Sequence, residues 1–74
     1  MPTVFTSPTC YPCRFTKKTL NDLNVDFVER DITTDQEAAE IVRELGYRGV
    51  PVVLLDSGEH WQGLDPDRLK ALAA

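Results

Sequence analysis

The sequence predicts an α/β protein whose four strands and three helices follow one another in the order β-α-β-α-β-β-α. Short apolar runs typical of strands alternate with segments in which apolar residues recur every three or four positions, the spacing of a helix. A helical segment joins the first two runs, so these strands should be parallel. The turn residues Asp56 to Gly58 separate the last two runs, which predicts a hairpin. We therefore expect a four-stranded mixed sheet flanked by three helices.

The first strand is predicted over Thr3 to Thr6, and a turn from Ser7 to Thr9 follows it. The first helix is expected from about Tyr11 to Leu23. One face of this helix carries the residues expected to lie on the sheet: Cys13, Thr16, Leu20 and Leu23. Phe15 points nearly opposite. We expect it to pack under a neighbouring helix, because large apolar residues are usually buried; the alternative is a partner-contact surface.

The second strand and helix are predicted between residues 25 and 45. Asn24 should end the first helix, and the alternating segment Val25 to Arg30 predicts a strand. Thr34 and Glu37 have the spacing of a capping box, which places a helix start there. The apolar stripe of this helix consists of Ala38, Ile41, Val42 and Leu45. Gly46 is expected to end it.

The C-terminal part should supply a central strand, an edge strand and a last helix. Val52 to Leu55 is strongly apolar, as expected of a strand buried in the middle of a sheet. Glu59 to Trp61 should return antiparallel to it as a short edge strand. Asp65 is a suitable N-cap for the last helix, with Pro66 at its first position.

Composition limits the classes of protein that the chain can belong to. Its 74 residues predict one domain, 1–74, and 42% hydrophobic with 27% charged residues is ordinary for a soluble globular protein. The net charge of −4 argues against a general nucleic-acid binder. No apolar run approaches the length of a membrane span, so no membrane association is expected. Because Met1 leads directly into a strand without a basic and apolar leader, we expect a cytoplasmic protein.

The two cysteines, Cys10 and Cys13, are the strongest functional signal in the chain. A bond between them would close too short a loop to restrain the unfolded chain much, so a structural role is not expected. Cys10 should lie at a helix N-terminus, where unpaired N–H groups and the helix dipole favour a thiolate. We therefore predict Cys10 as the nucleophile and Cys13, one turn into the helix, as the resolving thiol. Pro12 should stiffen the loop between the sulfurs.

The basic residues after the cysteines and the small number of possible metal ligands both favour redox chemistry at the cysteine pair. Three basic residues follow the cysteines and should favour the thiolate further: Arg14, Lys17 and Lys18. The alternatives are two inert buried thiols or a metal site. Zinc needs about four ligands, and beyond the cysteines the chain offers only His60 as a soft or borderline ligand. A metal or an iron–sulfur cluster would have to be shared between subunits, so no metal is predicted. His60 is expected on the edge strand without an acid–base role.

The chain resembles the thioredoxin superfamily, in particular the glutaredoxins and most of all the NrdH-redoxins. The resemblance covers nearly the whole sequence and rests on Cys10-Tyr11-Pro12-Cys13, Leu45-Gly46-Tyr47, Val50-Pro51-Val52-Val53 and Glu59-His60-Trp61-Gln62-Gly63. It implies a thioredoxin fold and a thiol–disulfide oxidoreductase that acts as an electron-donor protein. It further implies that electrons pass from NADPH through thioredoxin reductase to class Ib ribonucleotide reductase, without a bound cofactor.

The resemblance also implies a set of partner-binding residues. Pro51 should follow a cis peptide bond beside the cysteines and leave the Val50 backbone free to pair with an extended partner segment. The other expected contacts are Tyr11, Pro12, Trp61, Gly63 and Asp65. Trp61 could equally be a core anchor.

Two departures from the NrdH-redoxin pattern affect the expected electron donor. The residues between the cysteines, Tyr11-Pro12, do not match the NrdH-redoxin motif. They are the pair that many glutaredoxins have at this place, in reverse order. Asp65 stands where NrdH-redoxins commonly have arginine, and together with Gly63 it is similar to a glutathione-holding arrangement. A glutathione-dependent glutaredoxin is therefore the first alternative, a metal- or cluster-binding module is the second, and a non-catalytic interaction domain is the third.

Overall fold

The computed structural model describes residues 1–73, in which the elements follow the predicted order. Their bounds are β1 Thr3–Thr6, α1 Tyr11–Asp22, β2 Val28–Asp31, α2 Gln36–Glu44, β3 Val52–Leu54, β4 His60–Gln62 and α3 Pro66–Ala71. The sheet order is β2-β1-β3-β4, with β1 parallel to β2 and antiparallel to β3, and with β4 antiparallel to β3. The predicted four-stranded mixed sheet with three helices is confirmed.

The two central strands divide the core into two clusters. Adjacent strand residues point to opposite faces of a sheet. Val4 accordingly belongs to one cluster and Phe5 to the other, and both are buried. The first cluster joins the sheet to α1 and α3 through Val4, Leu20, Val53, Trp61 and Leu69. The second joins it to α2 through Phe5, Ala38, Val42 and Val52. The predicted helix faces are thus the ones that pack on the sheet.

Leu20 tests how much the first cluster contributes to stability. Its side chain is fully buried, so Leu20→Ala should leave a cavity and lower the free energy of unfolding by about 2–5 kcal/mol. The urea midpoint of the oxidised protein measures this loss. Lys18→Ala is a matched control on the same helix, because it removes only an exposed ion pair with Asp22 and should cost less than about 1 kcal/mol. A Leu20→Ala midpoint equal to that of the control would contradict the assignment of Leu20 to the core.

The end of α1 confirms one prediction and corrects another. Asn24 adopts a positive φ of 57° and ends the helix as expected. However, β2 begins at Val28, three residues later than predicted. The reason is that the N–H of Val25 donates to the carbonyl of Leu20 at 2.9 Å and so belongs to the helix end. Strand pairing starts where Val28 lies opposite Thr3.

The start of α2 also differs from the prediction. Asp35, not Thr34, is the N-cap, and its Oδ1 accepts a hydrogen bond from the N–H of Ala38 at 3.0 Å. Arg30 on β2 donates to the other carboxylate oxygen of Asp35 at 2.9 Å. The Arg30 hydrogen bond is the main reason why the pKa of Asp35 is lowered. Gly46 follows the helix with a φ of 95°, as predicted for its end.

The expectation that Phe15 packs under a helix is wrong. Its side chain is 55% exposed. The helix that contacts α1 is α3, and α3 meets the side of α1 that faces the core, where Leu20 and Leu69 are both buried. The outer side of α1, which carries Phe15, therefore remains uncovered in the part of the chain that the structure describes.

The C-terminal elements lie within one residue of their predicted bounds. The strand β3 ends at Leu54, and Leu55 opens the hairpin turn, since its carbonyl accepts from the N–H of Gly58 at 2.9 Å. Asp65 caps α3, accepting from the N–H of Arg68 at 3.2 Å, and Pro66 is the first helical residue, as predicted. None of the helices within residues 1–73 has the length and apolar character needed to cross a membrane.

Candidate active site

The two cysteines lie where β1 has ended and α1 begins, and they are joined by a disulfide. Cys10 is the N-cap of α1, and its Sγ accepts a hydrogen bond from the N–H of Cys13 at 3.1 Å. Cys10 is partly exposed, whereas Cys13 is 1% exposed. An approaching sulfur can therefore reach Cys10 but not Cys13. In the reduced protein the same N–H and the N-terminal end of the helix would stabilise a Cys10 thiolate.

The segment before β3 lies next to the cysteine pair at the start of α1. The Val50–Pro51 peptide bond is cis, as the resemblance implies, and Pro51 is buried. The carbonyl oxygen of Val50 lies 3.6 Å from the Sγ of Cys10. Among residues 1–73 neither the N–H nor the carbonyl of Val50 makes a backbone hydrogen bond. A free backbone group beside the reachable sulfur can pair with another chain, so the partner-binding role predicted for Val50 is geometrically available.

The edge strand β4 supports this segment through two hydrogen bonds. The N–H of Gly63 donates to the carbonyl of Pro51 at 2.8 Å, and Gly63 has a φ of 91°, which disfavours any side chain there. The Nε2 of Gln62 donates to the carbonyl of Gly49 at 3.0 Å. Gln62 was missed by sequence reasoning, because its contact joins positions 13 residues apart and has no periodic signal.

The remaining predicted partner contacts fall into an exposed and a buried group. Tyr11 is 69% exposed, and Pro12 is exposed beside it, so both are accessible next to Cys10. Trp61 is 7% exposed and belongs to the first core cluster, which makes it a core anchor with little surface left for a partner. Arg68 lies over its ring at 5.2 Å. The carboxylate of Asp65 caps α3 and also forms an ion pair with the side chain of Arg68.

The basic residues after the cysteines contribute less to the site than predicted. Lys17 pairs with Glu29 at 2.8 Å, and Lys18 pairs with Asp22 at 2.7 Å. The same carboxylate oxygen of Glu29 accepts a hydrogen bond from Oγ1 of the buried Thr6 at 2.8 Å. The hydrogen bond from Lys17 is the largest cause of the lowered pKa of Glu29, and burial opposes it. Two of the three positive charges are therefore already neutralised locally.

The lowered pKa of Glu29 predicts a small dependence of the free energy of unfolding on pH. Its pKa in the folded protein lies below its ordinary value of 4.5. It therefore adds stability that is present above that ordinary value and is lost as the pH falls through the lower folded pKa. Because 42% of its side chain is exposed, the contribution should stay below about 1 kcal/mol. Urea unfolding of wild type and Glu29→Gln should differ at pH 7 and converge towards pH 3. A difference that grows on acidification, or one equally shown by Glu40→Gln on the exposed side of α2, would contradict this.

The imidazole of His60 makes a hydrogen bond to another side chain. It lies on the edge strand β4, as predicted, and its Nδ1 is 2.8 Å from the hydroxyl of Tyr47. Within residues 1–73 no three His, Cys, Asp or Glu side chains come together as a metal site. A metal on the cysteine pair would need ligands from another molecule.

A mixed sheet of this order, with a Cys-x-x-Cys pair opening its first helix, defines a dithiol redox protein with a thioredoxin fold. The glutaredoxin family profile matches residues 3–61. The chain belongs to the glutaredoxin family and is a glutaredoxin-like redox protein of the NrdH type. Its cysteine pair can form the disulfide that such redox chemistry uses.

Individual relatives support this placement over nearly the full length. The Gene 56 protein of Mycobacterium phage L5 is 38% identical over 71 residues, which is 95% of this chain and 69% of that protein. The glutaredoxin-like protein NrdH of Escherichia coli K12 is 34% identical over 71 residues, covering 95% and 85%. The solved structure of Escherichia coli NrdH-redoxin superposes with a TM-score of 0.89 at 32% identity, covering 96% of this chain and 92% of that one. That protein is described as glutaredoxin-like with a thioredoxin-like activity profile.

Proposed function

We propose that this protein is a thiol–disulfide oxidoreductase that acts as a small electron-donor protein. The observation that carries the proposal is the unequal exposure of the two bonded sulfurs. Cys10 is partly exposed at a helix N-terminus, and Cys13 is buried one turn behind it. One sulfur is thus placed to attack and the other to resolve. The two sulfurs carry both electrons, so the proposed reaction needs no bound cofactor or metal.

The reaction has two steps. The Cys10 thiolate attacks one sulfur of a partner disulfide, which forms a mixed disulfide and releases the other partner sulfur as a thiolate that takes up a proton. Cys13 then loses its proton and attacks the Cys10 sulfur, which releases the second partner sulfur and closes the Cys10–Cys13 disulfide. The partner gains two electrons and two protons in all. Cys13 needs no access to solvent for this step, since its target is the sulfur of Cys10, to which it is bonded in the oxidised protein.

The donor and the client are proposed from the family relation. We infer that thioredoxin reductase returns the disulfide to the dithiol with electrons from NADPH, and that class Ib ribonucleotide reductase is the client. The similarity to Escherichia coli NrdH-redoxin, which is described as thioredoxin-like in activity, supports a thioredoxin-type donor. The engagement of the Asp65 carboxylate by Arg68 also supports it, because this carboxylate is then less available to hold glutathione. A reductase fed by NADPH fits a cytoplasmic protein.

The test starts from oxidised protein and follows NADPH consumption with two donor systems. One contains thioredoxin reductase from each of several bacteria, and the other contains glutathione with glutathione reductase. We expect reduction by at least one thioredoxin reductase and none by glutathione at the same concentration of protein. Reduction by glutathione alone would overturn the proposed donor and make the protein a glutathione-dependent glutaredoxin. Cys10→Ser provides the blank for both systems.

A further inference from the structure

We propose that Tyr11, Arg14 and Phe15 form a docking surface for an acidic and apolar segment beside the reactive disulfide of the partner. We call these three residues the α1 patch. The inference rests on the proposed function and adds to it the chemistry of the partner segment. It follows from three observations: the exposure of two aromatic side chains, their position next to Cys10, and the lack of an ion pair at Arg14 among residues 1–73.

Both aromatic residues of the α1 patch are exposed. Tyr11 is 69% exposed and Phe15 is 55% exposed. They are four positions apart on one helix, so their side chains lie on the same side. Single exposed apolar residues are common on protein surfaces. The other large apolar residue of this helix, Leu20, is fully buried. The exposure of two large aromatic side chains on the same helix therefore indicates a surface that contacts a partner.

The position of the α1 patch links it to the redox reaction. Tyr11 directly follows Cys10, and Phe15 lies about 6 Å further along the helix axis at 1.5 Å per residue. The carbonyl oxygen of Val50 is also close to the reactive residue, at 3.6 Å from the Sγ of Cys10. A partner cysteine that reacts with Cys10 therefore comes close to both Tyr11 and the Val50 carbonyl. Because an extended chain advances about 3.3 Å per residue, residues two or three positions from that cysteine reach Phe15.

The charge of the α1 patch indicates an acidic partner. Arg14 lies 5.8 Å from the ring of Tyr11 and forms no ion pair within residues 1–73. The neighbouring lysines pair with Glu29 and Asp22. The first turn of α1 contains no acidic residue. In a chain of net charge −4, this helix start is therefore locally positive, and the helix dipole adds to that charge. An acidic side chain next to an apolar one matches both properties of the surface.

The experiment compares two synthetic peptides with the same internal disulfide. In the first, leucine and aspartate lie within three residues of the reactive cysteine, and in the second, glycine and lysine replace them. The protein is reduced chemically beforehand, so the result does not depend on the donor. Second-order rate constants are measured for wild type, Phe15→Ser and Arg14→Glu, and for the exposed control variants Val28→Ser and Lys70→Glu. The ratio of the two peptide rate constants cancels any change in the intrinsic reactivity of Cys10.

We expect wild type and both control variants to prefer the leucine–aspartate peptide. Phe15→Ser should reduce this preference about tenfold, because removing a large side chain that anchors an interface costs on the order of tenfold or more in binding. Arg14→Glu should reverse the preference towards the lysine peptide. All five proteins should reduce hydroxyethyl disulfide, a small disulfide that is too short to extend from Cys10 to Phe15.

Two results would overturn the proposal. One is a peptide ratio that stays unchanged in both Phe15→Ser and Arg14→Glu. The other is a concentration-dependent dimer in sedimentation that Phe15→Ser abolishes, because the α1 patch would then bind a second copy of the chain. A wild type that reduces neither the peptides nor hydroxyethyl disulfide would instead refute the proposed function itself. The small disulfide thus separates the two failures.

Discussion

Replacing Cys10 by serine is expected to abolish disulfide reduction, with a loss of roughly three orders of magnitude or more in turnover. Cys10 carries the sulfur that a partner can reach, because Cys13 is 1% exposed. A serine hydroxyl is not ionised near neutral pH and does not form a disulfide. The remaining thiol of Cys13 is too buried to replace it. The measurement is the rate at which chemically reduced protein transfers electrons to insulin disulfides.

In this variant a loss of activity can be separated from a loss of folding, because serine preserves the local structure. Cys10 is the N-cap of α1, and its side chain accepts from the N–H of Cys13. Serine is among the best N-cap residues, so the helix should form and the free energy of unfolding in urea should match that of reduced wild type within about 1 kcal/mol. Thr9→Ser, at the exposed neighbouring position, serves as the control with full activity. A tenth or more of wild-type activity in Cys10→Ser would refute the role assigned to Cys10.

The elements were predictable from sequence because their signals are local. The apolar stripe of α2, with Ala38 and Val42 buried, follows from periodicity alone. The start of α2 was not predictable in the same way, because Thr34 and Asp35 are both suitable N-caps. The pairing of Arg30 on β2 with the Asp35 carboxylate accompanies the use of Asp35, and this contact exists only once strand and helix lie together. The late start of β2 has a similar origin in the way α1 ends.

In the candidate site, too, the features with a local sequence signal were predicted and the contacts between different elements were not. The cysteine pair and the cis bond at Pro51 were expected from a motif and from the resemblance. The bond from Gln62 to Gly49 and the contact between Thr6 and Glu29 were not expected, because each joins side chains to groups on a different element. The rule that large side chains are buried was wrong for Phe15, and for Trp61 the sequence left a core role and a partner contact equally open until the structure showed it buried. A single sequence does not show which helix faces remain uncovered. The partner-binding roles of Val50, Gly63 and the other predicted contacts stay predictions.

Replacing Cys13 by serine should have a different effect, namely the accumulation of a mixed disulfide between Cys10 and the partner. The first step needs only the Cys10 thiolate, which keeps its position at the start of α1. The second step needs a thiol within bonding reach of Cys10, and in the native protein that thiol is Cys13. Serine cannot attack the mixed disulfide, so the intermediate should persist until an external thiol resolves it.

Intact-mass spectrometry under non-reducing conditions measures this intermediate directly. With an excess of a disulfide peptide, Cys13→Ser should gain the mass of one peptide on nearly every molecule and lose it on addition of dithiothreitol. Wild type should show only its internal disulfide, and the variant lacking both cysteines should show no adduct. An adduct of Cys10→Ser at Cys13, or equal adducts on both single variants, would mean that the two sulfurs are equally reachable. The order of attack and resolution derived from their unequal exposure would then be wrong.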